Sequence, residues 1–128
     1  MSRIEHFALF AADLDALRTF YEEALGLRVI VDNSNAPVRG YFLADDGGSV
    51  LEIIARPPHV PRADTRYVCH TAFLVEDYAA ARKALELRGV PFETDTEVDT
   101  DAVRTAFFND PEGNRCQIIW RRQPLGSG

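Results

Sequence analysis

The chain has 128 residues, of which 46% are hydrophobic and 27% charged, and its formal net charge is −6. This is the size of one domain with its own core, and no apolar run reaches the roughly 18 residues that a membrane helix needs. The acidic balance disfavours nucleic acid as a partner. Because the N-terminus does not resemble a signal peptide and two cysteines make no disulfide framework, we expect a cytoplasmic protein.

The first half of the chain predicts a strand, a helix and three further strands. A β-favouring segment from about Arg3 to Phe10 precedes Asp13, a residue type suited to cap a helix. Apolar residues then recur at helical spacing until Gly26. Three expected strands follow, the last two joined by the turn DDGG: LRVIVD at 27–32, YFLA at 41–44 and VLEIIA at 50–55.

The second half predicts the same order again. A strand is expected from about Tyr67 to Val75, then a helix that begins after Asp77 and ends near Gly89. The remaining three strands are expected to be VPFET at 90–94, RTAFFN at 104–109 and RCQIIW at 115–120. The expected organisation is one domain with module 1 at about 1–56, a Pro-rich linker at 57–64, module 2 at about 65–122 and a flexible tail at 123–128.

An internal repeat supports this division. HFALFAAD at 6–13 aligns with HTAFLVED at 70–77, which sets His6 against His70. GSVLEII at 48–54 aligns with GNRCQII at 113–119, which sets Glu52 against Gln117. Such self-similarity indicates two structurally equivalent halves.

The repeat brings four polar residues into consideration as ligands of one divalent metal: His6, Glu52, His70 and Gln117. Strand alternation places each of them among apolar residues on one face. If the halves pack as a pseudo-twofold pair, all four converge, and two imidazoles with a carboxylate form a common divalent-metal set. Any one of them alone is more often a surface residue or a hydrogen-bonded core residue. Cys69 and Cys116 point to the other face and are interpreted as small core residues.

The segments IEHFALFAADLDALRTFYEEALGL, VLEII, HTAFLVEDYAAARKALELRGVPF and AFFNDPEGNRCQII resemble the vicinal oxygen chelate superfamily, which contains glyoxalases, extradiol dioxygenases and bleomycin resistance proteins. The resemblance implies an α+β fold of two βαβββ modules, related by a pseudo-twofold and forming an open barrel-like cleft. It also implies that the metal ligands lie on the first and last strands of each module, at the four positions named above. Members often have Glu at the position of Gln117.

By this resemblance the chain is expected to be a metal-dependent, glyoxalase-like lyase or isomerase. Its small substrate would chelate the metal through neighbouring oxygens, and Glu52 would carry the proton. The metal is one of Fe, Mn, Co, Ni or Zn, because mixed His and carboxylate sites accept them all. The amide of Gln117 cannot take up a proton near neutral pH, which departs from isomerases that use a second carboxylate.

Two other functions remain open. Two histidines and one carboxylate are also the ligand set of non-haem Fe(II) oxygenases, so an extradiol-type dioxygenase is the first alternative. The second is a protein that binds a drug or metabolite without turnover, as bleomycin-resistance relatives do.

A substrate pocket and a homodimer are also expected. The candidate pocket residues are Phe10, Tyr41, Arg56 and Phe108, although most such aromatics would be core residues. Arg39, Arg104 and Arg115 join Arg56 as possible partners of a substrate carboxylate or phosphate, since guanidinium presents a planar fork to such groups. In this superfamily modules pair within one chain or exchange between two, so a site can combine ligands from both subunits, and we expect a homodimer.

Overall fold

The structure, a computed structural model, describes residues 3–61 and 70–126. The chain divides into two compact units, Met1–Ala63 and Asp64–Gly128. In the described ranges, each unit contains one helix and one four-stranded mixed sheet. The predicted α+β class with a repeated βαβββ order is therefore confirmed. Cys69 and positions 62–64 of the predicted linker lie outside the described residues.

The first unit has its strands in the order β1-β4-β3-β2, with β1 parallel to β4 and the other neighbours antiparallel. The helix joins β1 to β2, the two edge strands of this sheet, because strands that run in the same direction need a long crossover rather than a tight turn. The elements of this unit are β1 (Phe7–Ala11), α1 (Leu14–Leu25), β2 (Arg28–Asp32), β3 (Gly40–Ala44) and β4 (Val50–Ala55).

The second unit repeats this arrangement with the strand order β5-β8-β7-β6. Its elements are β5 (Thr71–Leu74), α2 (Tyr78–Leu87), β6 (Val98–Asp99), β7 (Val103–Asn109) and β8 (Arg115–Arg121). The prediction of a strand at 90–94 was wrong. That segment contributes an isolated bridge between Phe92 and Phe108, and the strand lies instead at β6. Pro91 has no backbone N–H to donate to a ladder, which limits pairing there.

Both helices begin at the predicted caps. Asp13 Oδ1 accepts a hydrogen bond from the Ala16 N–H at 3.0 Å, and Asp77 Oδ1 accepts one from the Ala80 N–H at 3.0 Å. These carboxylates satisfy backbone donors that the first helical turn leaves unpaired. Helix α1 ends at Gly26, whose φ of 72° lies in the left-handed region that glycine adopts without a steric penalty.

Each helix packs on one face of its own sheet. In the first unit Leu17, Leu43 and Ile53 are fully buried, and in the second unit Leu85 and Ile118 are. Cys116 is buried with them, which confirms its interpretation as a core residue. The opposite face of each sheet is less buried and carries the predicted ligands. Among the described residues, no helix combines the length and the apolar character that a bilayer crossing requires.

Candidate functional site

His6 and Glu52 meet at one edge of the first sheet. Glu52 lies in the middle of β4, and its parallel neighbour on β1 is Ala8. His6 precedes β1 by one residue, because the strand begins at Phe7 rather than near Arg3 as predicted. The imidazole Nε2 of His6 lies 3.3 Å from Glu52 Oε1. Two of the four predicted ligands are therefore adjacent.

The His6 ring is held from two sides. Its Nδ1 lies 2.9 Å from Glu5 Oε1, and its ring meets the Phe42 ring edge to face with centroids 5.4 Å apart. Phe42 is also the cross-strand partner of Glu52 on β3. In the neutral tautomer that donates from Nδ1 to Glu5, Nε2 presents its lone pair on the side of Glu52. A carboxylate on the far nitrogen is the usual way in which a metal-binding histidine is oriented.

The second unit places a histidine, a phenylalanine and, instead of a glutamate, a glutamine in the same register. His70 precedes β5 by one residue, and its ring meets the Phe107 ring edge to face with centroids 5.1 Å apart. Phe107 is the cross-strand partner of Gln117 on β8, and Ala72 is the parallel partner of Gln117 on β5. The offset of 65 residues between Glu52 and Gln117 thus also relates Phe42 to Phe107.

Gln117 differs from Glu52 in its partner. Its amide Nε2 donates to the hydroxyl of Thr105 at 2.6 Å, and that hydroxyl donates to the Ile118 carbonyl oxygen at 3.0 Å. Sequence reasoning missed Thr105. The sequence feature that could have identified Thr105 is its position, two residues before Phe107 and therefore on the same face of β7.

The donor chemistry of the first unit fits a divalent metal. Two ligands that each lie about 2.0–2.2 Å from an ion are about 2.8–3.6 Å apart at octahedral or tetrahedral angles. The 3.3 Å between His6 Nε2 and Glu52 Oε1 falls in that interval. Within residues 3–61 and 70–126, no group of three or more His, Cys, Asp or Glu side chains is assembled for a metal. Each unit contains one imidazole and one side chain with a donor oxygen at matching strand positions.

The predicted pocket residues do not all lie with the predicted ligands. Phe10 is 42% exposed and belongs to the face of Ala8 and Glu52. Tyr41 lies on the helix side, where its hydroxyl donates to Asp15 of α1 at 3.1 Å. Its neighbour along β3, Phe42, occupies the ligand face instead. Strand alternation separates Tyr41 from Glu52.

The other two pocket candidates lie in different places, Phe108 in the core of the second unit and Arg56 just beyond the end of β4 in the first. Phe108 is 1% exposed and packs against Phe92, which in turn lies under Arg82 of α2. Phe108 is therefore a core residue of the helix side. Arg56 directly follows β4, and its backbone N–H donates to the Ala11 carbonyl oxygen at 2.7 Å.

Arg115 is already paired within its own unit. Its Nε and terminal nitrogen each donate to the carboxylate of Glu93 at 2.8 Å, and its guanidinium lies 3.8 Å from the Phe107 ring centroid. The hydrogen bonds from Arg115 lower the pKa of Glu93 below its usual value of 4.5. The fork that we considered for a substrate carboxylate is thus engaged by a carboxylate of the protein itself.

Comparison with known proteins gives a consistent family and fold. The family model described as "Glyoxalase/Bleomycin resistance protein/Dioxygenase superfamily" matches residues 3–118. The uncharacterized protein YaeR of Escherichia coli (strain K12) is 30% identical over 119 residues, covering 88% of this chain and 92% of YaeR.

Two solved structures are similar in fold. The antibiotic binding protein TnmS3 from Streptomyces sp. CB03234 has a TM-score of 0.76 at 23% identity, covering 94% of this chain and 97% of its own. The fosfomycin resistance protein FosX from Listeria monocytogenes has a TM-score of 0.78 at 18% identity, covering 98% and 94%.

Proposed function

The chain belongs to the glyoxalase/bleomycin resistance protein/dioxygenase superfamily, and on that premise we propose that it is a metal-dependent enzyme of the glyoxalase type. Its substrate is a small molecule that binds the metal through two neighbouring oxygens. The reaction is of the lyase or isomerase class, in which a proton is removed from one substrate atom and delivered to another.

The observation that carries this proposal is the contact between His6 Nε2 and Glu52 Oε1 at 3.3 Å. We assign His6, Glu52, His70 and Gln117 as the ligands of one divalent ion. The support from the second unit is its register, which gives His70 and Gln117 the same strand positions and the same aromatic neighbour.

A bound divalent ion supplies an electrophile that stabilises negative charge on substrate oxygens. Within the chain, Glu52 is assigned as the group that carries the proton: its carboxylate is 22% exposed and accepts the proton when it binds the ion loosely or leaves it. The amide of Gln117 offers no basic group near neutral pH. Proton transfer therefore takes place on the side of the first unit, while Gln117 binds without reacting.

The apolar neighbours of Glu52 serve the same chemistry. Phe42 lies directly across from Glu52, and Ala8 and Ile54 lie on the same sheet face. These side chains exclude water from one side of the carboxylate, which strengthens its interactions with charge that develops on the substrate.

Metal content tests the ligand set. We expect the wild-type protein to hold about one divalent ion per site after purification without chelator, and the double variant His6→Ala, His70→Ala to hold almost none. His59→Ala is the matched control, because His59 is an exposed histidine of the linker, and it should retain the metal. A wild type that cannot be loaded with Fe, Mn, Co, Ni or Zn would refute the proposal.

Glu52→Gln separates ligation from proton transfer. The amide oxygen replaces one donor oxygen, so this variant should still bind metal more tightly than Glu52→Ala does. It should lose proton exchange, because an amide does not accept a proton at neutral pH. The readouts are metal affinity and the incorporation of solvent deuterium into substrate.

Three assays assign the reaction. Thioester formation from methylglyoxal and glutathione identifies a glyoxalase, and deuterium exchange into a 2-substituted acyl-CoA identifies an epimerase. Oxygen uptake with a catechol in the presence of Fe(II) would instead place the chain among the dioxygenases. Tight binding of a small molecule without turnover would place it among the binding proteins.

The proposal includes a homodimer located in the cytoplasm. Light scattering coupled to size exclusion should give twice the chain mass of 14.3 kDa. A monomer that retains metal and activity would remove the dimer from the proposal.

A further inference from the structure

Thr105 determines which end of the Gln117 amide faces it. Thr105 is 5% exposed, and its hydroxyl donates its one proton to the Ile118 carbonyl oxygen, an acceptor without a proton of its own. The group that meets this hydroxyl from Gln117 must therefore be a donor, which is the amide Nε2 at 2.6 Å. The amide Oε1 of Gln117 is consequently turned away from Thr105.

The equivalent position of the first unit has no such hydroxyl. Gly40 pairs with Ile54 as Thr105 pairs with Ile119, so the two residues occupy the same place in their sheets. A Cβ atom on Gly40 would lie 2.5 Å from the Ile53 carbonyl oxygen. Ile53 corresponds to Ile118, whose carbonyl oxygen Thr105 binds in the second unit. Close backbone approach thus replaces the hydrogen bond.

This difference accompanies the difference between Glu52 and Gln117. A carboxylate presents an acceptor oxygen in either orientation, so Glu52 needs no neighbour to choose between its two ends. An amide has one acceptor oxygen and one NH₂ group, and only the oxygen can bind a cation. An amide ligand needs a group that fixes its orientation.

We propose that Thr105 is a positioning residue that holds the Gln117 amide with Oε1 presented to the divalent metal. The inference rests on the proposed function, because it takes Gln117 to be a metal ligand. It assigns to the second unit a hydrogen-bonded support that Gly40, at the equivalent position of the first unit, does not offer and that a carboxylate does not need.

Thr105→Val tests the proposal, because valine removes the hydroxyl with little change in shape. The probe is Co²⁺, with its dissociation constant measured by competition against a chromophoric chelator. We expect this variant to bind Co²⁺ about tenfold more weakly, as is typical when a residue that orients a ligand is lost. Thr105→Ser retains the hydroxyl and should remain within about twofold of the wild type. If the Thr105→Val variant does not fold, Thr105→Ala removes the same hydroxyl and takes its place in the test.

Thr100→Val is the matched control. Thr100 also donates its hydroxyl to a backbone carbonyl oxygen of the second unit, that of Val103 at 3.1 Å, but in an exposed turn. Its loss should leave the affinity for Co²⁺ unchanged. An equal loss of affinity in this control would overturn the specific role of Thr105.

The same substitution in a Gln117→Leu background shows whether the effect passes through the amide. Without the amide, Thr105→Val should change the Co²⁺ affinity by less than about twofold, because the effects of substitutions at two interacting residues are not additive. A tenfold loss in both backgrounds would show that Thr105 acts through packing, and would overturn the proposal.

An NMR measurement on the metal-free protein separates this proposal from the proposed function. The side-chain NH₂ protons of Gln117 should exchange slowly with water in the wild type and fast in Thr105→Val. Unchanged exchange would overturn the orienting role of Thr105 even if metal binds. Slow exchange in a wild type that binds no Co²⁺ would instead overturn the proposed function, and with it the role of Oε1 as a ligand.

Discussion

Replacing Gly40 with alanine should destabilise the protein, although alanine is usually the better strand residue. The new Cβ would lie 2.5 Å from the Ile53 carbonyl oxygen, where an ordinary carbon–oxygen contact is about 3.3–3.6 Å. β3 and β4 must therefore separate by several tenths of an ångström. Ile53 is fully buried, so β4 cannot move without disturbing the core.

The magnitude follows from two opposing effects. Overpacking of this kind costs about 1–3 kcal/mol, and the lower chain entropy of alanine in the unfolded state returns about 0.4–1 kcal/mol. We expect a net loss of about 1–2 kcal/mol in the free energy of unfolding. For a chain of this length, that lowers the melting temperature by roughly 4–8 °C.

Urea and thermal unfolding followed by circular dichroism measure this loss. Gly47→Ala is the matched control, because a Cβ there would meet nothing closer than Asp45 Oδ1 at 3.5 Å, an ordinary contact, and the Gly47 backbone is not left-handed. It should be neutral or slightly stabilising. If Gly40→Ala proves as stable as the wild type, the close approach between β3 and β4 is not a constraint and the argument is wrong.

Three further predictions concern the second unit. Glu93→Gln should destabilise the protein by about 1–2 kcal/mol at neutral pH, because it weakens a bidentate, partly buried ion pair with Arg115. Arg115 lowers the pKa of Glu93 in the folded state, so this stabilisation is complete above pH 4.5 and is lost as the pH falls through the lowered pKa. In urea unfolding, the free energies of unfolding of the variant and the wild type should therefore converge in acid. A difference in free energy that stays constant with pH would contradict the assignment. Asp77→Ala should cost about 1 kcal/mol of stability in the same assay through loss of the α2 cap, whereas Asp77→Asn should cost less, and equal losses would refute capping. Phe107→Ala should weaken Co²⁺ binding, because the ring supports His70 and faces Gln117, while Phe92→Ala on the helix side should affect stability alone.

Much of the fold could be predicted because its signals are local. Asp13 and Asp77 cap helices by accepting hydrogen bonds from residues three positions later. A contact between residues so close in the chain can be predicted from a short segment of sequence. The repeat then transfers each assignment from one half to the other. The wrong prediction of a strand at 90–94 also arose from relying on local signals. Phe92 forms an isolated bridge with Phe108, and the residues around Phe92 do not distinguish such a bridge from a strand.

The candidate site could be predicted only in outline. Strand alternation placed Glu52 and Gln117 on one face of each sheet, and the observed register supports this. Alternation also separates Tyr41 from Glu52, but this follows only once the pairing of β3 with β4 is known. The sequence does not show that pairing, so it left the orientation of the Tyr41 side chain open. Register is set by which strands pair and where they begin, and sequence reasoning misplaced the start of the first strand.

Two equivalent βαβββ units, and the residue types that recur in them, could be inferred from the order of residues, because repetition, period and capping depend on spacing along the chain. How the recurring residues are supported became visible in the folded chain. Folding brought His6 against Glu52, Gln117 against Thr105, and the Gly40 backbone against Ile53. These contacts join different strands, and their distances depend on register and packing rather than on the order of residues in the chain.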